Sequence, residues 1–368
     1  MNSKLLAVAV TLALLTLPCV GQEPTRSADL PIDDSLLTSP AWESPEELPE
    51  AGLFASCDEF VDDSCSAGAC RKSAWNIFGE FLYMRPRNAE VVFAVPFNGP
   101  IAPPPAVPVQ VGRVGVVDPD YEPAFRVGFA RVYPDGTSLG ATYTRFESST
   151  FDQINTAAPY VIRSMVAHPF TLGATSDGLD ANATLDVDFH LVDLDYREEF
   201  ACGRLYSLNY LVGARYAGLG QEFRSQYAVN GVETVDTSIR FDGGGIRLGL
   251  EGETRSARSG FLLYGRGIAS FVGGEFRATY AQGEDYDASV VDTGWSAGRI
   301  VSILDLEIGL GWVSPNECWR FTGGYFVSAW YNTVMTNEFI AGVQTNNFLG
   351  LGNTMTFDGL SVRAEVRF

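Results

Sequence analysis

The last nine residues, LSVRAEVRF (360–368), put Leu360, Val362, Ala364, Val366 and Phe368 on one side of an extended chain and Ser361, Arg363, Glu365 and Arg367 on the other. Successive side chains of a strand point to opposite faces, so the segment predicts a strand between an apolar and a polar medium. Strict alternation ending on an aromatic is how outer-membrane barrels close and are recognised for assembly, which makes Phe368 the expected assembly signal.

The same alternation, bounded by turn residues, predicts ten strands: near 75–86, 122–133, 137–147, 184–200, 204–224, 238–253, 259–275, 296–313, 318–334 and 357–368. Connections between them sort by length. The short ones are PDG at 134–136, ACG at 201–203, the stretch at 254–258 and SPNE at 314–317; the long ones are 87–121, 148–183, 225–237, 276–295 and 335–356. Short periplasmic turns, long external loops and an even strand count predict an all-β fold, a transmembrane antiparallel up-and-down β-barrel. A hairpin hidden in a long loop would raise the count to twelve. In 261–272 (FLLYGRGIASFV) the pattern leaves open which face is the outer one.

Aromatic positions agree with that reading. Trp75, Tyr206, Trp312 and Trp319 fall at one set of strand ends, with Tyr83, Tyr216 and Tyr331 eight to twelve residues further along. At about 3.4 Å per residue and a tilt near 40°, these separations project to roughly 20 to 30 Å, the height of a barrel's apolar band.

The N-terminus has the form of a secretory signal: Lys4, an apolar run from Leu5 to Leu17, then small residues up to Gly21. That run is too short to span a bilayer as a helix. Three segments are therefore expected: a signal at 1–21, an acidic, Pro-rich, Cys-containing periplasmic segment at 22–74 without regular structure, and the barrel at 75–368. The net charge of −20 argues against nucleic acid as a partner. Much of it sits in the 22–74 segment. From residue 71 onward the bases are arginine apart from Lys72, which suits fixed pairing with carboxylates in a confined lumen.

With Cys19 leaving in the signal, the mature chain keeps Cys57, Cys65, Cys70, Cys202 and Cys318 as disulfide candidates. Cys202 and Cys318 lie in turns about four strands apart, too far to bridge each other. One or two of the other three are expected either to tie the acidic segment to the barrel rim or to pair among themselves. Neither a metal site nor a cofactor motif is expected, because paired ligand spacings are missing.

Several segments, GEFLYMRP (79–86), EPAFRVGFARVYPDGTSLGATYTRF (122–146), LVDLDYREEF with YSLNYLVGARYAGLGQEF (191–223) and GYFVSAWYN (324–332), resemble the pore-forming outer-membrane proteins typified by the Legionella major outer-membrane protein. The resemblance implies a pore. It does not extend to the acidic segment.

If Leu185, Val187, Phe189 and Leu191 face lipid and a bulge then turns Val192, Leu194 and Tyr196 outward, Asp186, Asp188, His190, Asp193 and Asp195 line the lumen. Arg126, Arg215, Arg247, Arg363 and Arg367, with Glu307 and Glu365, are expected on the facing walls. Opposed charged walls would make a small, weakly cation-preferring diffusion pore for hydrophilic solutes or ions. One alternative is a barrel filled by these same salt bridges, serving as an envelope anchor or surface-interaction protein. Another is a hydrolase with a rim site near His168 and either Asp152 or Asp177. The expected partners are outer-membrane lipid, the barrel-assembly machinery, permeating solutes and further copies of the chain in a homo-oligomer.

Overall fold

A computed structural model describes residues 74–100, 107–203, 205–228, 232–256, 259–285 and 287–368. The expected signal at 1–21, nearly all of the 22–74 segment, and Cys57, Cys65 and Cys70 lie outside these residues.

Ten strands close into an antiparallel barrel. In chain order they are β1 (Ala74–Arg87), β4 (Glu122–Val132), β5 (Ser138–Asn155), β7 (Asp180–Gly203), β8 (Tyr206–Ala228), β9 (Val232–Arg255), β10 (Phe261–Glu284), β11 (Asp287–Val313), β12 (Trp319–Thr333) and β13 (Asn353–Arg367). Each follows its neighbour, and β1 pairs with β13 to close the ring. The seam is sealed at the chain end, where Trp75 and Phe368 exchange backbone hydrogen bonds of 2.7 and 2.9 Å. Closure leaves no open sheet edge, which hydrocarbon would not tolerate.

Three shorter strands, β2 (Val91–Phe97), β3 (Gly115–Val117) and β6 (Val161–Ser164), form a separate sheet in the order β3-β2-β6. They come from the connections 88–121 and 156–179, both expected as plain loops. Two helices accompany them, the single turn α1 (Leu172–Thr175) and α2 (Thr336–Thr345). The sheet and α2 plug the mouth opposite the chain ends. Phe93 and Phe339 are fully buried there, Tyr227 donates a hydrogen bond to the Phe93 carbonyl, and Gln221 Nε2 donates to the Val334 carbonyl at 2.8 Å.

Two other connections are shorter than the sequence pattern suggests. Strand β8 runs to Ala228 and β9 starts at Val232, while β10 runs to Glu284 and β11 starts at Asp287. The expected loops 225–237 and 276–295 are largely strand. Inward positions carry the buried Tyr227, Val235, Phe276 and Tyr280 and outward ones Gln226, Asp236 and Arg277, the wrong polarity for a lipid-facing strand but one that suits a barrel wall standing in water.

Strand β8 makes the change of medium visible. Its outward residues Tyr206, Leu208, Val212 and Tyr216 are exposed large apolar side chains. Beyond Gly218 and Gly220 the outward positions become Glu222, Arg224 and Gln226. The apolar stretch from Tyr206 to Tyr216 projects to roughly 25 Å at a tilt near 40°, one hydrocarbon thickness. A second length of similar size stands outside the membrane as a stalk. The expected aromatic belts are in place, with Trp75, Tyr206, Trp312 and Trp319 exposed at the chain-end rim and Tyr83, Tyr216 and Tyr331 at the other boundary.

Candidate functional site

The lumen has two layers, and strand β7 builds both. Its odd-numbered residues face inward without interruption: Leu185, Val187, Phe189 and Leu191 are buried, and so are Asp193 and Asp195. No bulge intervenes, since Leu191 pairs with Ala217 and Val192 with Tyr216 in unbroken register. The expectation of a bulge is therefore corrected. Asp186, Asp188 and His190 lie on the outer face of the stalk, with Asp186 exposed, and Asp188 reaches Arg145 at 3.4 Å on that surface. The physical reason is that apolar residues face lipid only within the membrane. Above it the outside is water, and the apolar face turns inward to form a core.

The lower layer is a charge network at membrane level. Arg215 grips both carboxylate oxygens of Asp193, at 2.7 and 3.0 Å, and reaches Asp305 at 2.7 Å. Arg247 lies 2.9 Å from Asp193 and 2.7 Å from Asp195. Arg197 joins Asp195 at 3.1 Å to Glu251 at 3.3 Å. A second group centres on Glu307, which pairs with Arg266 and accepts hydrogen bonds from Tyr264 at 2.6 Å and Ser361 at 3.1 Å. Glu80 completes it, 2.9 Å from Arg126 and 3.6 Å from Arg266. Nearer the chain-end rim, Arg363 pairs with Glu365 at 2.7 Å and lies 3.5 Å from the centre of the Phe78 ring. Arg367 is half-buried near the same mouth, beside Arg320 and Glu365.

Of the candidates chosen from sequence, Arg126, Asp193, Asp195, Arg215, Arg247, Glu307, Arg363 and Glu365 thus point into the lumen. Sequence reasoning missed Glu80, Arg197, Glu251, Arg266 and Asp305. The signal was present: each stands on the polar side of an alternating run, and Arg266 in FLLYGRGIASFV settles that strand's orientation, with its even-numbered residues inward.

The upper layer is aromatic. Phe189 lies 5.4 Å from Phe146, 4.8 Å from Phe357 and 5.7 Å from Trp330 between ring centres. The layers are joined by hydrogen bonds: Trp330 Nε1 donates to Ser328 Oγ at 3.0 Å, and Ser328 Oγ donates to Asp305 at 2.5 Å. The space left among the charged side chains is about 30 Å³, room for one or two waters.

The rim candidates do not assemble. Asp152 pairs with Arg113 at 2.5 Å and Asp177 with Arg163 at 3.3 Å. His168 instead lies against Phe170, with 5.7 Å between ring centres. Cys202 and Cys318 sit at the chain-end rim, with β8, β9, β10 and β11 between them.

Among solved structures, the chain is similar to the outer membrane protease OmpT of Escherichia coli at 11% identity and a TM-score of 0.44, over 80% of this chain and 97% of that one. It is also similar to the attachment invasion locus protein Ail of Yersinia pestis at 8% identity and a TM-score of 0.23, over 81% and 99%. A FadL homologue of Pseudomonas aeruginosa matches at 8% identity and a TM-score of 0.21, over 81% and 90%. A search of the curated proteins found no match. The model of one family matches residues 68–362, which takes in all of the barrel but its last residues. The chain is an outer-membrane β-barrel protein and belongs to the family of the Legionella pneumophila major outer membrane protein precursor.

Proposed function

We propose that the protein is a closed outer-membrane barrel that anchors a rigid stalk at the cell surface and conducts no solute. The filled lumen is the observation that carries this reading. A diffusion pore of the kind expected from sequence needs charged walls held apart by water, whereas Asp193 and Arg215 meet directly at 2.7 Å. Barrels of about eight strands are filled by their own side chains and those of sixteen are open channels. Ten strands lined by arginine and aromatic residues fall with the filled ones, and the plug adds a third barrier.

The length of β7 to β11 supports the anchoring role, since half of each strand would suffice to cross the bilayer. In this reading outer-membrane lipid contacts the apolar band, and the assembly machinery engages the strand ending in Phe368. Liposome swelling tests the proposal. Vesicles carrying the full mature chain are expected to swell no faster in isotonic small sugars than empty vesicles, and swelling that scales inversely with sugar size would refute closure.

A further inference from the structure

The outer wall of the barrel is not uniformly convex. Between β1, β4 and β5 lies an apolar groove of about 720 Å³, walled by Trp75, Ile77, Phe129 and Tyr143, with Phe368 at its end. Its floor is low because Ala141, between the outward Leu139 and Tyr143, carries only a methyl. Register sets these residues side by side, since Ile77 pairs with Phe129 and Phe129 with Ala141. The groove therefore opens into hydrocarbon and begins at the chain-end, periplasmic interface.

At that interface stands Arg131, paired in register with Trp75. Its guanidinium lies 5.7 Å from the centre of a Trp75 ring and 5.6 Å from that of Tyr133. Among the described residues it has no carboxylate partner. Outward arginines elsewhere do have one: Arg224 has Asp236 and Arg240 has Glu222, both at 2.8 Å. On the neighbouring wall at this rim, Glu198 already accepts a hydrogen bond from Tyr196 at 2.8 Å and another from Tyr210. A cation at the headgroup level above an apolar groove matches one kind of molecule, an anionic amphiphile with its chain pointing into the bilayer.

We infer that this groove is a phospholipid site, with the phosphate of a periplasmic-leaflet lipid on Arg131 and one acyl chain over Ala141, between Ile77, Phe129 and Tyr143. Charge complementarity favours a phospholipid over a second copy of the chain. Arginine is suited to it, because its planar fork matches phosphate oxygens bidentately and its face stacks on an aromatic ring. The inference stands whether or not the lumen conducts.

Native mass spectrometry of the delipidated full mature chain, mixed with dioleoyl phosphatidylglycerol or with dioleoylglycerol, is the test. Wild-type protein is expected to retain one phosphatidylglycerol and to hold dioleoylglycerol, which lacks the phosphate, at least several-fold less. Arg131→Gln is expected to lower phospholipid retention to the dioleoylglycerol level, and Ala141→Trp to lower both, while Arg224→Gln on the stalk leaves them unchanged. Heat-modifiable gel mobility confirms folding, and Arg131→Gln, which removes only a surface charge, carries the test if Ala141→Trp does not assemble. Equal retention of the two lipids, undiminished phospholipid on Arg131→Gln, or a dimer that Ala141→Trp dissociates would each overturn the inference, the last by making the groove a protein interface.

Discussion

Arg215 and Asp193 form a two-pronged ion pair across β7 and β8, at 2.7 and 3.0 Å, with both side chains almost fully withdrawn from solvent. A pair of this kind adds little net stability over an apolar filling, but removing one partner leaves a buried charge uncompensated, at a cost of about 3 to 5 kcal/mol. Asp193→Asn is expected to lower the stability of the folded barrel in vesicles by about that amount, read from the urea midpoint. Combining it with Arg215→Met should recover much of the loss. A double variant as unstable as the sum of the two would show that Asp193 and Arg215 are not coupled, their bonds to Arg247 and Asp305 carrying the layer instead.

The change of medium along β7 predicts which side of the wall is reached by water. A cysteine placed by Asp186→Cys is expected to react with a membrane-impermeant maleimide on intact cells. Leu306, near the middle of the apolar band on β11, should respond very differently to charge. Leu306→Arg is expected to cost about 2 to 4 kcal/mol, while Asp186→Arg stays within about 0.5 kcal/mol of wild type. Unfolding in vesicles separates the two.

Adjacent glycines of β9 predict opposite outcomes for the same substitution. A Cβ on Gly245 would lie 1.8 Å from the backbone oxygen of Phe271, whereas on Gly244 its nearest contact is the Arg215 oxygen at 3.9 Å. Gly245→Ala is expected to block assembly of the heat-modifiable form, and Gly244→Ala to leave it intact.

The plug carries a pH dependence. Glu233, outside the membrane at the start of β9, is buried; burial raises its pKa, and the hydrogen bond donated by Gln282 opposes that shift. It fills the space over Gly173, where a Cβ would lie 1.9 Å from its carboxylate oxygens. Because the folded-state value lies above the unfolded one, its contribution to stability is present at acid pH and lost as the pH rises through the raised value. Proteolysis of the 156–179 segment is expected to speed up with rising pH in the wild-type protein and to change less in Glu233→Gln.

The barrel was legible because its signals are local. Alternation in LSVRAEVRF and in Tyr206–Tyr216 depends only on the two-residue period of a strand, and the glycine and proline turns mark where strands stop. The lumen was legible in part. Asp193, Arg215 and Arg247 were found because polar residues stood opposite lipid-facing ones. Asp186 and Asp188 were misplaced because alternation tells which residues share a face, not what medium lies against it. The same ambiguity hid the stalk, whose inward Phe223, Phe241 and Phe276 form a core in stretches partly expected as loops. Strands β2, β3 and β6 are short, and their pairing is set by the mouth they plug.

Closure of the lumen is the central claim, and single-channel recording of the full mature chain in a planar bilayer tests it most directly. With folding confirmed by heat-modifiable mobility, the predicted result is a current no different from that of the protein-free bilayer across a salt gradient. Stable conductance steps with a reproducible reversal potential would contradict it and would mean that the Asp193–Arg215 layer and the plug both open a path for ions.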